Sequence, residues 1–189
     1  MTVIAYIVVS FSFGISLLLT FRTCAKAAPI PLTKALAETL FVTVLQLALF
    51  VLGQRLGGLL RFEDAQSPML YRQTNELVFL GLMAVVAIRW TVSAFRKREE
   101  PSYDIARWST VVALSVATGS SVLFVGLADG FLGVSRSFWA LALPWLLLVF
   151  PLAYLGVMMG RRNKQLNPRR WRLLAVVMLL AVAIFSVVG

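Results

Sequence analysis

The sequence contains no histidine, one cysteine (Cys24) and only eight acidic residues. Without histidine, and with a single thiol, a zinc or copper site of nitrogen and sulfur ligands lacks its donors. The lone cysteine also excludes an intramolecular disulfide. Nucleophilic catalysis is equally unsupported, because a serine needs a base and no lysine falls inside an apolar segment. No glycine loop with phosphate-cradling spacing occurs. The chain therefore reads as a non-enzyme, with no cofactor, no catalytic residue and no resident metal.

What is present is apolar. Of 189 residues, 60% are hydrophobic and 14% charged, and the mean hydropathy is +0.87. A soluble domain carries roughly 45–50% apolar and about 25% charged residues. The excess lies in six blocks, Thr2–Phe21, Ala35–Leu52, Leu77–Phe95, Ser109–Ala128, Phe138–Met159 and Leu173–Val188. Each approaches the roughly 20 residues needed to cross a bilayer. They predict an all-α integral membrane protein forming one membrane domain over residues 1–189. The first block lacks a basic leader and a cleavage site, so it is read as a span rather than a signal peptide.

A net charge of +10 would suggest nucleic acid in a soluble chain, but here the charge is sorted by connection. The first, third and fifth connections (Arg22–Lys34, Arg96–Trp108 and Gly160–Arg172) hold thirteen basic residues; the second and fourth (Gly53–Glu76 and Asp129–Ser137) hold four. Positive connections stay in the cytoplasm. This predicts a multi-pass protein of a bacterial inner membrane with both termini outside. Its partners are then the lipid bilayer, with a membrane protein or a second copy as further partner, and not nucleic acid. Tyr6, Trp108, Trp139 and Trp171 are placed as interfacial anchors. Pro144 and Pro151 fall inside the fifth span and predict a kink, which either shapes a cavity or serves packing.

Two spans carry small and hydroxylated residues, Ser10 to Ser16 in the first and Ser115 to Gly130 in the fourth. Small residues let helices approach, and hydroxyls bond across them. If the first three and last three spans are repeats, three helices per repeat force opposite orientations, an architecture common among transporters. Ionisable residues are few. Arg89 in the third span either snorkels or binds carbonyls. Glu38 lies four residues after Lys34, on the same helix face. Asp129 either caps the fourth span or lines an outer vestibule. No carboxylate falls near any midplane. The oxygen groups there are Ser12, Ser16, Thr43, Gln46, Ser93, Ser115, Thr118, Ser120 and Ser121. Divalent ions usually require one or two carboxylates.

Four segments, in order and spacing, resemble the bacterial manganese efflux pump family of the MntP type. Phe13-Gly14-Ile15-Ser16 is similar to the family's Phe/Leu-Gly/Ala-Met-Ser, which precedes Asp-Ala-Phe. Gly81 to Arg89, with Ala94-Phe95-Arg96, resembles its glycine-rich helix ending in Glu-Gly-Phe. Ala117-Thr118-Gly119-Ser120-Ser121, followed by Val125-Gly126, resembles Ala-Thr-Ser-Leu-Asp with its trailing Val-Gly. Gly156 to Arg161 resembles the Gly-x-x-x-Gly-Arg exit. The resemblance implies six spans in two inverted three-helix repeats, about 1–100 and 101–189, and an efflux role. In this register the family's acids fall on Leu18, Gln46, Ser93 and Ser121, so the divalent site is degenerate.

Two functional readings follow. In the first, the chain is a transporter of a cation or small solute whose pathway is Ser16, Gln46, Thr118, Ser120, Ser121 and Arg89, between the first, second, fourth and fifth spans. In the second it is a non-transporting subunit or scaffold of a larger membrane complex, docking a partner through its small-residue faces, with Gly53–Glu76 as the external contact surface.

Overall fold

The computed structural model describes residues 2–27, 31–62, 68–95, 105, 107–133, 137–162 and 167–188. The described residues are helical and contain no strand. The helices are α1 (Val3–Ala27), α2 (Leu32–Leu60), α3 (Pro68–Phe95), α4 (Trp108–Leu132), α5 (Phe138–Pro144), α6 (Phe150–Arg161) and α7 (Pro168–Val188). One π-helical turn, Trp145–Val149, joins α5 to α6, so the fifth span runs continuously through three segments. Six helices are long and apolar enough to cross a membrane.

Several helices outrun their apolar blocks. The second, expected over Ala35–Leu52, continues to Leu60, and the third begins at Pro68 rather than Leu77. Most of the supposed connection Gly53–Glu76 is therefore helix. Inside a bilayer a helix is the cheapest way to bond every backbone group, so polar residues next to a span tend to join it. A side-chain clip closes this end: the Phe62 N–H donates to Asn75 Oδ1 (3.1 Å), and Asn75 Nδ2 donates to the Phe62 carbonyl (3.0 Å).

Helix pairing is set by glycine. On α2, Gly53 and Gly57 lie against the backbone at Leu123 and Leu127 of α4, while Gly126 and Gly130 of α4 lie against Phe50 and Gln54 of α2. A Cβ on any of these four would collide with main chain, which flexes far less than a side chain. On α6, Gly156 and Gly160 meet the carbonyls of Leu18 and Arg22 on α1, and Gly14 of α1 meets Leu148 and Leu152. The dominant pairs are thus α2 with α4 and α1 with α6, each running in the same direction. Antiparallel contacts of α3 with α4, α1 with α7, and α3 with α7 complete the bundle. By contrast, α1, α2 and α3 make little contact with one another.

Pro144 and Pro151 flank the π turn rather than a sharp break. Proline removes a helical donor and crowds the preceding turn, and widening to i→i+5 bonding accommodates it. The turn carries Trp145 fully buried at the centre, 5.6 Å from Phe13 of α1 and 5.5 Å from Phe50 of α2 between ring centroids. Phe13 in turn meets Trp90 of α3 edge-on at 4.9 Å. Four helices meet in this aromatic layer.

Tyr6 is not an interfacial anchor. It is buried, and its hydroxyl donates to Asp129 Oδ2 at 2.8 Å, as does Gln54 Nε2 at the same distance. Asp129 therefore neither caps α4 nor lines a vestibule; it ties α1, α2 and α4 together. The end of α4 is capped instead by Gly133, whose φ of +64° favours glycine and whose N–H donates to the Gly130 carbonyl. Trp108, Trp139 and Trp171 are exposed at helix starts, as interfacial aromatics are.

Candidate functional site

A polar cavity of about 250 Å³ lies among α1, α3, α4 and α7. Its walls are Ser16 and Thr20 from α1, Arg89, Trp90 and Ser93 from α3, Ala117, Thr118 and Ser121 from α4, and Arg172 and Ala175 from α7. These positions fall toward the end of α1 and α3 and the beginning of α4 and α7. That is the end of the bundle next to the basic connections. None of the described lining residues is acidic.

Four of the six residues read from the sequence line this cavity: Ser16, Arg89, Thr118 and Ser121. The remaining two stand directly behind them. Gln46, buried on α2, donates from Nε2 to Thr118 Oγ1 at 3.1 Å. Ser120 accepts a 2.6 Å bond from Arg89 Nη1 and itself donates to the Ala117 carbonyl at 2.8 Å. Arg89 Nη2 also reaches the Ala117 carbonyl, at 3.4 Å. Arg89 thus binds carbonyl and hydroxyl oxygens of α4. All the acceptors it meets among the described residues are neutral.

The helices that form the cavity differ from those anticipated. The second and fifth spans were expected to contribute walls, but α3 and α7 take that place. The cause is the glycine pairing, which presses α2 onto α4 and α6 onto α1 and leaves no space between them. Several expected oxygen groups are also accounted for within their own helices. Ser12, Thr43 and Ser115 are buried and donate to the carbonyls of Val8, Thr39 and Val111, four residues back. Such back-bonding satisfies a hydroxyl without a neighbour.

Arg172 and Trp90 were missed. Arg172 was counted among the charges of a connection, yet α7 starts at Pro168 and carries Arg172 into the cavity wall. Proline at a first helical position is a start signal that would have placed it. Arg172 Nη1 donates to the Ser93 carbonyl (2.9 Å) and to Ser93 Oγ (3.2 Å). The second guanidinium thus fastens α7 to α3.

The positions that the resemblance gave to acids are partly brought together. Ser93 and Ser121 line the cavity and Gln46 backs it. Leu18 does not: it packs with Ile15, Leu19 and Ala175, and its carbonyl faces Gly156 of α6. Its place at the cavity is taken by Ser16. Among the described residues, no three His, Cys, Asp or Glu side chains converge. Glu38 is fully buried near the start of α2, 3.9 Å from Lys34 Nζ, and is not part of the cavity lining.

The family model described as "Putative manganese efflux pump" (MntP) matches residues 29–186, which leaves α1 and Ser16 outside the match. No match is found among curated proteins or among solved structures.

Proposed function

The chain belongs to the MntP family, and from that premise we propose that it is a membrane transport protein whose divalent-cation site has lost its carboxylates and no longer carries manganese. The observation that carries this is the cavity walled by hydroxyls, Arg89 and Arg172, with no acid among its described lining residues. Hard divalent ions need carboxylates to offset dehydration. A divalent ion about 5 Å from one guanidinium would also be opposed by roughly 7 kcal/mol at an effective dielectric constant of ~20. Hydroxyl dipoles do not offset that.

The transporter architecture is supported by the two parallel crossings. Gly14, Leu18 and Arg22 of α1 stand to Leu152, Gly156 and Gly160 of α6 as Gly119, Leu123 and Leu127 of α4 stand to Leu49, Gly53 and Gly57 of α2. The contact of α3 with α4 has its counterpart in that of α7 with α1. Such exchange is what two inverted three-helix halves produce, with α1 matching α4, α2 matching the fifth span and α3 matching α7. Under it Ser16 and Ser121 are equivalents, and both face the same cavity. The charge bias of the connections supports a cavity mouth on the cytoplasmic side of a bacterial inner membrane, with both termini outside.

The test is manganese flux in proteoliposomes with an entrapped metal-sensitive dye. The wild-type protein should give no flux above protein-free vesicles, whereas Ser93→Glu combined with Ser121→Asp should create manganese binding. Wild-type manganese flux that Ser121→Ala abolishes would overturn the proposal.

A further inference from the structure

A shallow groove of about 290 Å³ lies where α2 begins and the fifth span ends, lined by Leu32 of α2 and by Met158, Arg161 and Arg162. It shares no lining residue with the polar cavity. We infer that this groove holds one anionic phospholipid, its phosphate against Arg161 and Arg162 and an acyl chain along Leu32 and Met158. What the polar cavity carries has no bearing on this second site.

Charge is the first support. Arg161 closes α6 and Arg162 caps it, and both are exposed. Neither side chain forms an ion pair or a hydrogen bond among the described residues. The chain beside the groove, residues 28–30 and 163–166, contains no acid and adds Lys164. At this end of the bundle the three basic connections hold thirteen basic residues, and the acids there are Glu38, Glu99, Glu100 and Asp104. If each acid took one cation, nine would remain. A pair of guanidiniums offers a phosphate parallel N–H donors and a permanent charge.

The apolar side of the groove decides between a lipid and a soluble anion. Leu36 lies one turn deeper than Leu32, and Leu155 one turn deeper than Met158, on the same helix faces, and both are exposed. Paired arginines above an apolar track that descends into a span match a phosphate at headgroup level with its chain in the hydrocarbon. Basic recesses between spans take anionic headgroups in this way. The helix ends leave the sign of the field to the arginines. The carbonyl end of α6 disfavours an anion, while α2 begins here without a side-chain cap and its amide end favours one.

The experiment is native mass spectrometry of the full-length protein in neutral detergent, titrated with phosphatidylglycerol or with phosphatidylcholine of the same chains. Phosphatidylglycerol should be retained and phosphatidylcholine lost. Arg161→Gln and Arg162→Gln should each weaken retention about five-fold, and together roughly thirty-fold, as removal of cations near a membrane surface does. Arg170→Gln, at an exposed position outside the groove, should leave it unchanged. Excess inorganic phosphate should not displace the lipid. Should the glutamine variants fail to give monodisperse protein, Met158→Trp keeps both arginines and places an indole in the groove. Phosphatidylglycerol brominated on its chains should quench that added emission, and brominated phosphatidylcholine should not. Four results would overturn the inference: equal retention or equal quenching by the two lipids, retention indifferent to the paired Arg161→Gln and Arg162→Gln, an equal loss in Arg170→Gln, or displacement by phosphate.

Discussion

Glu38 and Lys34 form a pair of unequal members. The Glu38 side chain is fully buried and neither carboxylate oxygen accepts a hydrogen bond among the described residues, whereas Lys34 is 30% exposed. Removing the lysine leaves a buried carboxylate; removing the acid leaves an ammonium within reach of water. Breaking a buried pair costs the most when the orphan cannot be solvated. Lys34→Met should therefore lower thermal stability in detergent, by about 1–2 kcal/mol, because the orphaned carboxyl can take up a proton. Glu38→Gln should cost under about 1 kcal/mol. The spacing of the two residues was legible in the sequence; the asymmetry was not, because it depends on which side of α2 meets another helix. Tyr6 teaches the same lesson. Near a chain terminus it reads as an interfacial anchor, and only the arrival of Asp129 on α4 makes it a core residue. Tyr6→Phe should cost about 0.6 kcal/mol, as single interhelical bonds in membranes do.

At the scale of the helix, glycines with the same composition have opposite roles. Gly57 and Gly58 are neighbours on α2, yet a Cβ on Gly57 meets the Leu127 carbonyl while one on Gly58 meets nothing within 4 Å. Gly57→Ala should destabilise the α2–α4 crossing by about 1–3 kcal/mol, the usual penalty for overpacking. Gly58→Ala should be neutral or stabilise by up to about 1 kcal/mol through helix propensity. Thermal unfolding of the two variants side by side is the check. The existence of six long apolar helices was readable from hydropathy, as was the disturbance at Pro144 and Pro151. Helix ends were read short, because a polar residue beside a span stays helical at no backbone cost. That misreading hid Arg172, whose position near the start of α7 makes it part of the cavity wall.

For the whole molecule, the sequence placed Ser16, Gln46, Thr118, Ser120, Ser121 and Arg89 in one region, and they do converge. Polarity within spans selected them, and six of the nine oxygen-bearing residues singled out line or back this cavity, whereas Ser12, Thr43 and Ser115 are satisfied within their own helices. Which helices enclose that space was not readable, since it follows from the glycine crossings rather than from polarity. Orientation is open to direct measurement. In a Cys24→Ser background, Ser137→Cys and Arg162→Cys lie at opposite ends of the fifth span. A membrane-impermeant maleimide should label Ser137→Cys from the outside of intact cells, and Arg162→Cys only after the membrane is opened. Labelling of both from one side would contradict a six-span path.

The pairing of α1 with α6 and of α2 with α4 also governs how the protein is made. The first three helices to leave the ribosome hold little contact with one another, and the glycine-notched faces of α1 and α2 match helices not yet synthesised. They must wait in the bilayer as separate, stable rods, since a membrane helix satisfies its own backbone before it finds a neighbour. Pairing of α2 thus waits for α4, and pairing of α1 for α6, near the end of the chain. A ribosome that stalls before α6 leaves α1 without its principal partner, a natural mark by which a membrane protease could tell an unfinished chain from a finished one.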